Sequence, residues 1–136
     1  MQEKQKQELR IIVAGSRDFD DQSMMNVLLD DYIDGYDKEN VVIISGTARG
    51  ADSMGEEYAK NAGLRCKRFP ADWDTYGKRA GYLRNVQMAD YAMADNSNGV
   101  LYAFWNGESK GTGHMIQIAK SRGLKVCVLQ PLQRSN

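Results

Sequence analysis

Cysteine and histidine are scarce in this chain, which holds two of the first, Cys66 and Cys127, and one of the second, His114. A Cys/His zinc site built from so few ligands would have to be completed by carboxylates, so no metal site is expected. An excess of charge of one sign is also missing. Lysine plus arginine number 18 and aspartate plus glutamate number 18, for a net charge of zero. A protein that coats nucleic acid usually carries a basic surplus, so nucleic acid is not the expected partner. No apolar run approaches the roughly 20 residues of a membrane-spanning helix, so no membrane partner is expected. Residues 1–8 are polar and charged and lack the apolar stretch of a secretion signal. These absences together predict a cytoplasmic protein.

What is present suits one globular domain. The chain has 136 residues, 42% of them hydrophobic and 26% charged, a length and balance typical of a single domain with a real core. Five short apolar runs recur: Leu9–Ala14, Val41–Ile44, Leu64–Phe69, Val100–Phe104 and Leu124–Leu129. Runs rich in β-branched residues without alternation suit strands covered on both faces. The third run alternates apolar with basic residues, which suits an edge strand. Between the runs lie helical periods: Met25, Leu28, Leu29, Tyr32 and Ile33; then Ala51, Met54, Gly55, Tyr58, Ala59 and Ala62; then Tyr82, Val86, Ala89 and Met93; then Met115, Ile118 and Ala119. Gly63 and Gly123 stand where two of these helices should stop. The pattern β-α-β-α-β-α-β-α-β predicts an α/β fold, a parallel sheet with helices on both faces. One domain is expected over residues 9–130, with a flexible tail at 1–8 and another at 131–136.

In such sheets the loops at the carboxyl ends of the strands form the site. After the first strand, Gly15 permits a tight turn, Ser16 supplies a hydroxyl, and Arg17 offers a fork for phosphate or carboxylate. After the second comes Ser45-Gly46-Thr47-Ala48-Arg49-Gly50-Ala51-Asp52. Its glycines let the backbone approach a ligand, and the helix that follows presents free N–H groups to an anion. Ser45 and Thr47 can add hydroxyls, and Asp52 can serve either the helix terminus or a ribose hydroxyl. After the fourth strand, Lys110-Gly111-Thr112-Gly113 reads as a second anion cradle, and Trp105 is either a surface for a base or a packing residue. The stretch from Pro70 to Asn85 brings Trp73, Arg79, Arg84 and Asn85 to the same end of the sheet. These features describe a nucleotide-shaped pocket, with phosphates on helix N-termini and a base against an aromatic ring.

The residues Ser45 through Asp52, Ala71-Asp72-Trp73 with Tyr76-Gly77-Lys78, Ala80-Gly81 with Leu83-Arg84-Asn85 and Met88, and Lys110-Gly111-Thr112 resemble the SLOG superfamily, nearest its YspA-type, YpsA-related branch. The likeness runs from Ile11 to Val128. It implies a Rossmann-like three-layer sandwich whose five-stranded parallel sheet has the order 3-2-1-4-5 with right-handed crossovers. With that order Cys66 and Cys127 sit on opposite edge strands, which excludes a disulfide between them. Small relatives pair through helix faces, so the resemblance also implies a homo-oligomer, and seven methionines would suit an adaptable interface.

Members of the superfamily differ in activity. LOG-type enzymes are phosphoribohydrolases that pair an arginine, in an Arg-Lys-x-x-Met-like segment, with a glutamate after a Gly-Thr turn. Arg84-Asn85-Val86-Gln87-Met88 is similar to the first element, but the glutamate position is Met115, and a thioether cannot do the work of a carboxylate. If the chain is an enzyme, its candidate catalytic residues are therefore Arg84 with Asp52 or Glu108. DprA-type relatives bind single-stranded DNA through a turn similar to residues 45–52. Other SLOG domains sense nucleotide-derived signals such as cyclic ADP-ribose species. The resemblance favours a binder of a nucleotide or nucleotide-derived metabolite, with no cofactor certain. A nucleotide N-glycosidase and a single-stranded nucleic-acid binder are the alternatives.

Overall fold

Successive residues of a strand face opposite ways, and in the central strands of this chain both directions are apolar. The computed structural model describes residues 7–130. The tail expected at 131–136, and that at 1–8 except for Gln7 and Glu8, lie outside the described residues. Five strands, β1 (Leu9–Gly15), β2 (Val41–Ser45), β3 (Arg65–Arg68), β4 (Asn98–Phe104) and β5 (Lys125–Leu129), alternate with five helices. The helices are α1 (Gln22–Ile33), α2 (Ala51–Ala62), the single turn α3 (Trp73–Tyr76), α4 (Ala80–Met93) and α5 (Lys110–Ser121). All neighbouring strands are parallel, in the order β3-β2-β1-β4-β5. The fold is the Rossmann-like α/β arrangement that the resemblance implied.

The alternation builds two cores. Leu9, Ile11 and Val13 of β1 meet Met25 and Leu29 of α1 and Tyr58 and Ala59 of α2 on one face. Ile12 and Ala14 meet Met88, Ala89 and Ala92 of α4 and Met115, Ile116 and Ala119 of α5 on the other. All of these side chains are buried, and each large one contributes about 1.5–3 kcal/mol of transfer free energy. Strand β3 is exposed along its length, as an edge strand with basic residues should be.

The third helical stripe differs from the expectation. Of Tyr82, Val86, Ala89 and Met93, only Ala89 is buried. The buried face of α4 is Asn85, Met88, Ala89 and Ala92, with Ala80 at its start. A polar residue occupies a core-facing position because that turn of the helix looks into a cavity, so apolar spacing alone could not place the face. Among the described residues no helix is long and apolar enough to cross a membrane.

Chain direction and strand order bring the carboxyl ends of β1, β2 and β4 side by side, with β1 and β4 adjacent at the point where the order reverses. Crevices open at such points. Cys66 and Cys127 are free and stand on β3 and β5, about 19 Å apart by four inter-strand steps, against the roughly 4.4–6.8 Å that a disulfide spans. Non-reducing peptide mapping of oxidised monomer should therefore yield no Cys66–Cys127 peptide. Recovery of that peptide would contradict the strand order.

Candidate functional site

Ser16 ties the three strand-end loops together. Its N–H donates to the carbonyl of Phe104 at 3.0 Å, and its own carbonyl accepts from Ala51 at 3.3 Å. Its hydroxyl accepts from the N–H of Asn106 at 3.0 Å. Gly50 lets the second turn lie against the first. It has a φ of +74°, and a side chain there would begin 2.3 Å from the Ser16 carbonyl oxygen. These two residues, read from the sequence as ligand contacts, here join one loop to another.

The turn after β2 is held by side chains from three elements. The Ser45 hydroxyl, fully buried, accepts from the Thr47 N–H at 3.0 Å and donates to a Glu56 carboxylate oxygen at 2.6 Å. Asp52 accepts from the Ala48 N–H at 3.2 Å. Arg84, reaching across from α4, donates to the Gly46 carbonyl. Thr47 sits at a φ of +67°, a left-handed conformation that costs a β-branched residue about 1–2 kcal/mol. Such strain persists only where surrounding bonds impose it, and here they do.

Gly46 is where charge gathers. A side chain on it would begin 2.8 Å from Nη1 of Arg84 and 2.9 Å from Oδ2 of Asp52. Only a bare backbone lets both groups come so near. Asp52 is buried, and burial, opposed by the N–H groups of Ala48 and Gly46 and by the charge of Arg84, pushes its pKa up to about 6. Burial lowers the pKa of Arg84, the charge of Asp52 partly offsets this, and the nearby charge of Arg17 adds to it.

One cavity of about 200 Å³ collects much of the predicted site. Gly15, Arg17, Asp52, Arg84, Asn85, Gly111 and Thr112 line it, with Ala14, Met88 and Met115 beneath. Ala48 and Ser109 line it too and had not been singled out. Ser109 caps α5, accepting from the Thr112 N–H at 3.4 Å, and a serine directly before a helix start was the available signal. Asn85 accepts from Nε of Arg84 at 3.1 Å. Its amide nitrogen lies 3.3 Å from the Gly111 carbonyl and 3.0 Å from Nδ1 of His114. Burial lowers the His114 pKa, and the ring packs edge-on against Tyr82 with centroids 4.2 Å apart.

The remaining candidates lie outside the cavity lining. Arg49, Arg79, Lys110 and Glu108 are exposed. Trp105 donates its indole N–H to the Ser109 carbonyl at 3.0 Å and packs over Gly113, where a side chain would begin 3.3 Å from the ring. Trp73 is exposed on α3. Glu56, which holds Ser45 and lies 3.3 Å from Nε of Arg68, was missed by the sequence reading. Its spacing of four residues after Asp52 on one helix face was the signal. Among the described residues no group of three or more His, Cys, Asp or Glu side chains could hold a metal ion.

The raised pKa of Asp52 has a consequence for stability. The native state keeps the proton to about pH 6, whereas the unfolded chain releases it near 3.8. Stability from this group is therefore fullest below that lower value, falls as pH rises between the two, and stays reduced at pH 7. Asp52→Asn retains a carbonyl oxygen for the Ala48 N–H and cannot ionise. The variant should be more stable at pH 7 by on the order of 1–3 kcal/mol, and the gain should vanish near pH 3.5. Urea denaturation at both values measures this, and a variant destabilised equally at both would contradict it.

The family described as YspA, cpYpsA-related SLOG matches residues 9–76. The chain is also similar to the Gene 61 protein of Mycobacterium phage D29, 35% identical over 124 residues that make up 86% of this chain and 93% of the phage protein. No solved structure matches it. With half of its length matched by the family, and a relative aligned across nearly its full extent, the chain belongs to the YspA, cpYpsA-related SLOG family.

Proposed function

We propose that the cavity binds the phosphorylated part of a nucleotide or nucleotide-derived metabolite, for sensing or sequestration. The observation that carries this reading is the convergence of Arg17, Arg84 and the start of α5 on one cavity where the strand order reverses. Arg17 has no side-chain partner among the described residues, and Arg84 is satisfied by a carbonyl and an amide oxygen rather than a carboxylate. Both guanidiniums keep charge available for an anion, and arginine suits phosphate geometry. Backbone N–H groups at the start of a twelve-residue helix add to the attraction. Asp52, when ionised, can accept a hydrogen bond from a ribose hydroxyl, and Asn85 offers a second polar contact. Membership of the SLOG family supports a nucleotide-type ligand in general.

A second reading, a nucleotide N-glycosidase, is favoured by one observation. Asp52 lines the cavity beside Arg84 with a pKa near 6, and a carboxyl group poised near the working pH suits general acid–base chemistry. Met115 occupies the position where LOG-type enzymes carry their glutamate, and Glu108 lies outside the cavity lining, so this activity would rest on Asp52.

Incubating the protein with a pool of nucleotides, ADP-ribose and cyclic derivatives, followed by mass spectrometry of bound and free fractions, separates the two. Intact ligand retained at about one per chain is the expected result. Free base with the matching ribose phosphate would replace binding with hydrolysis, and neither retention nor cleavage of any compound would contradict both readings. Arg17→Ala should weaken retention of the ligand by about tenfold without changing the melting temperature, because Arg17 is exposed and makes no side-chain bond within the described fold.

A further inference from the structure

The cavity is small for the ligand proposed above. Sites that enclose a drug-sized molecule hold roughly 300–1,000 Å³, and this one holds about 200 Å³. It can surround only part of a nucleotide. Its polar wall of Arg17, Arg84, Asp52 and Asn85, with the start of α5, matches a phosphate and sugar hydroxyls. The base must then lie outside, and the two tryptophans offer very different surfaces for it.

Trp105 is committed elsewhere. Its N–H is donated to Ser109 and its ring covers Gly113. Trp73 is 55% exposed and stands beside the cavity. A side chain on Gly81 would begin 3.5 Å from the far edge of the Trp73 ring and 4.0 Å from Nη2 of Arg84. The glycine thus leaves a gap between an exposed indole and a guanidinium that lines the cavity. Tyr82, also about half exposed, stands next to Gly81 in the chain and packs against His114.

We propose that the site recognises the ribosyl-phosphate end of its ligand and accepts any base, which stacks outside the cavity on Trp73. This inference rests on the nucleotide-binding reading. An indole face attracts every base through its π surface, so stacking contributes affinity without choosing among bases. Selecting one base would instead need polar groups fixed against its edge. The ring exposed beside the cavity, Trp73, chiefly offers a flat surface.

Calorimetric titration with AMP, GMP, CMP, UMP and ribose 5-phosphate tests this. The four nucleotides should bind within about fivefold of one another, and ribose 5-phosphate about tenfold more weakly. Trp73→Ala should bring the nucleotides down to the level of ribose 5-phosphate and leave the affinity for ribose 5-phosphate unchanged. Trp73 is exposed on a single turn, so the variant should fold as the parent does, with circular dichroism as the control. A preference for one base beyond about thirtyfold, or nucleotide affinities untouched in Trp73→Ala, would overturn base tolerance while leaving nucleotide binding intact. Absence of binding by all five probes would also overturn it, and the nucleotide pool described above then decides whether the broader reading falls as well.

Discussion

Arg84 reaches from α4 to the Gly46 carbonyl and fixes the turn after β2 against the helix that begins beyond it. Burying a guanidinium is costly, and this one spends its donors on a carbonyl and on Asn85 rather than on an adjacent carboxylate. Asp52 stands near enough to act on it electrostatically but bonds instead to the backbone of the turn. The result is a cation and an anion that face one cavity without cancelling each other. Their approach to one turn depends on Gly46, since a side chain at that position would begin within 3.0 Å of both groups.

The sheet makes this arrangement possible. Parallel strands in the order β3-β2-β1-β4-β5 set the ends of β1, β2 and β4 next to one another, so three loops separated by tens of residues become neighbours. Ser16 then fastens them, using its N–H, carbonyl and hydroxyl for three different partners. Strain at Thr47 and the raised pKa of Asp52 lie within this fastened region. Both cost stability, and costs of that kind concentrate at sites retained for binding or chemistry.

The fold was legible because strands covered on both faces read as unbroken apolar runs, and β3 declared itself an edge through Arg65, Lys67 and Arg68. The order of the strands came from the family resemblance, since periodicity says nothing about which strand lies beside which. On α4 the sequence misled, because Tyr82 and Met93 look like core residues and Asn85 does not, yet Asn85 is the buried one. Glycines and arginines at the strand ends pointed to the region where the cavity opens. Their roles within it were hidden. Ser16, Ser45 and Gly50 hold loops together, and only tertiary contacts distinguish a hydroxyl that faces a ligand from one that faces Glu56. The two tryptophans were equally good candidates by type and position, and the hydrogen bond from Trp105 to Ser109 separates them.

The central claim is that one anion-binding cavity lies at the carboxyl ends of β1, β2 and β4. The most direct measurement is a ¹⁵N–¹H correlation spectrum recorded during titration with AMP. The account predicts shifts concentrated at the amides of Gly15, Arg17, Gly46, Ala48, Gly111 and Thr112. Shifts confined to the opposite end of the sheet, around Arg10, Asp95 and Ser97, would contradict it.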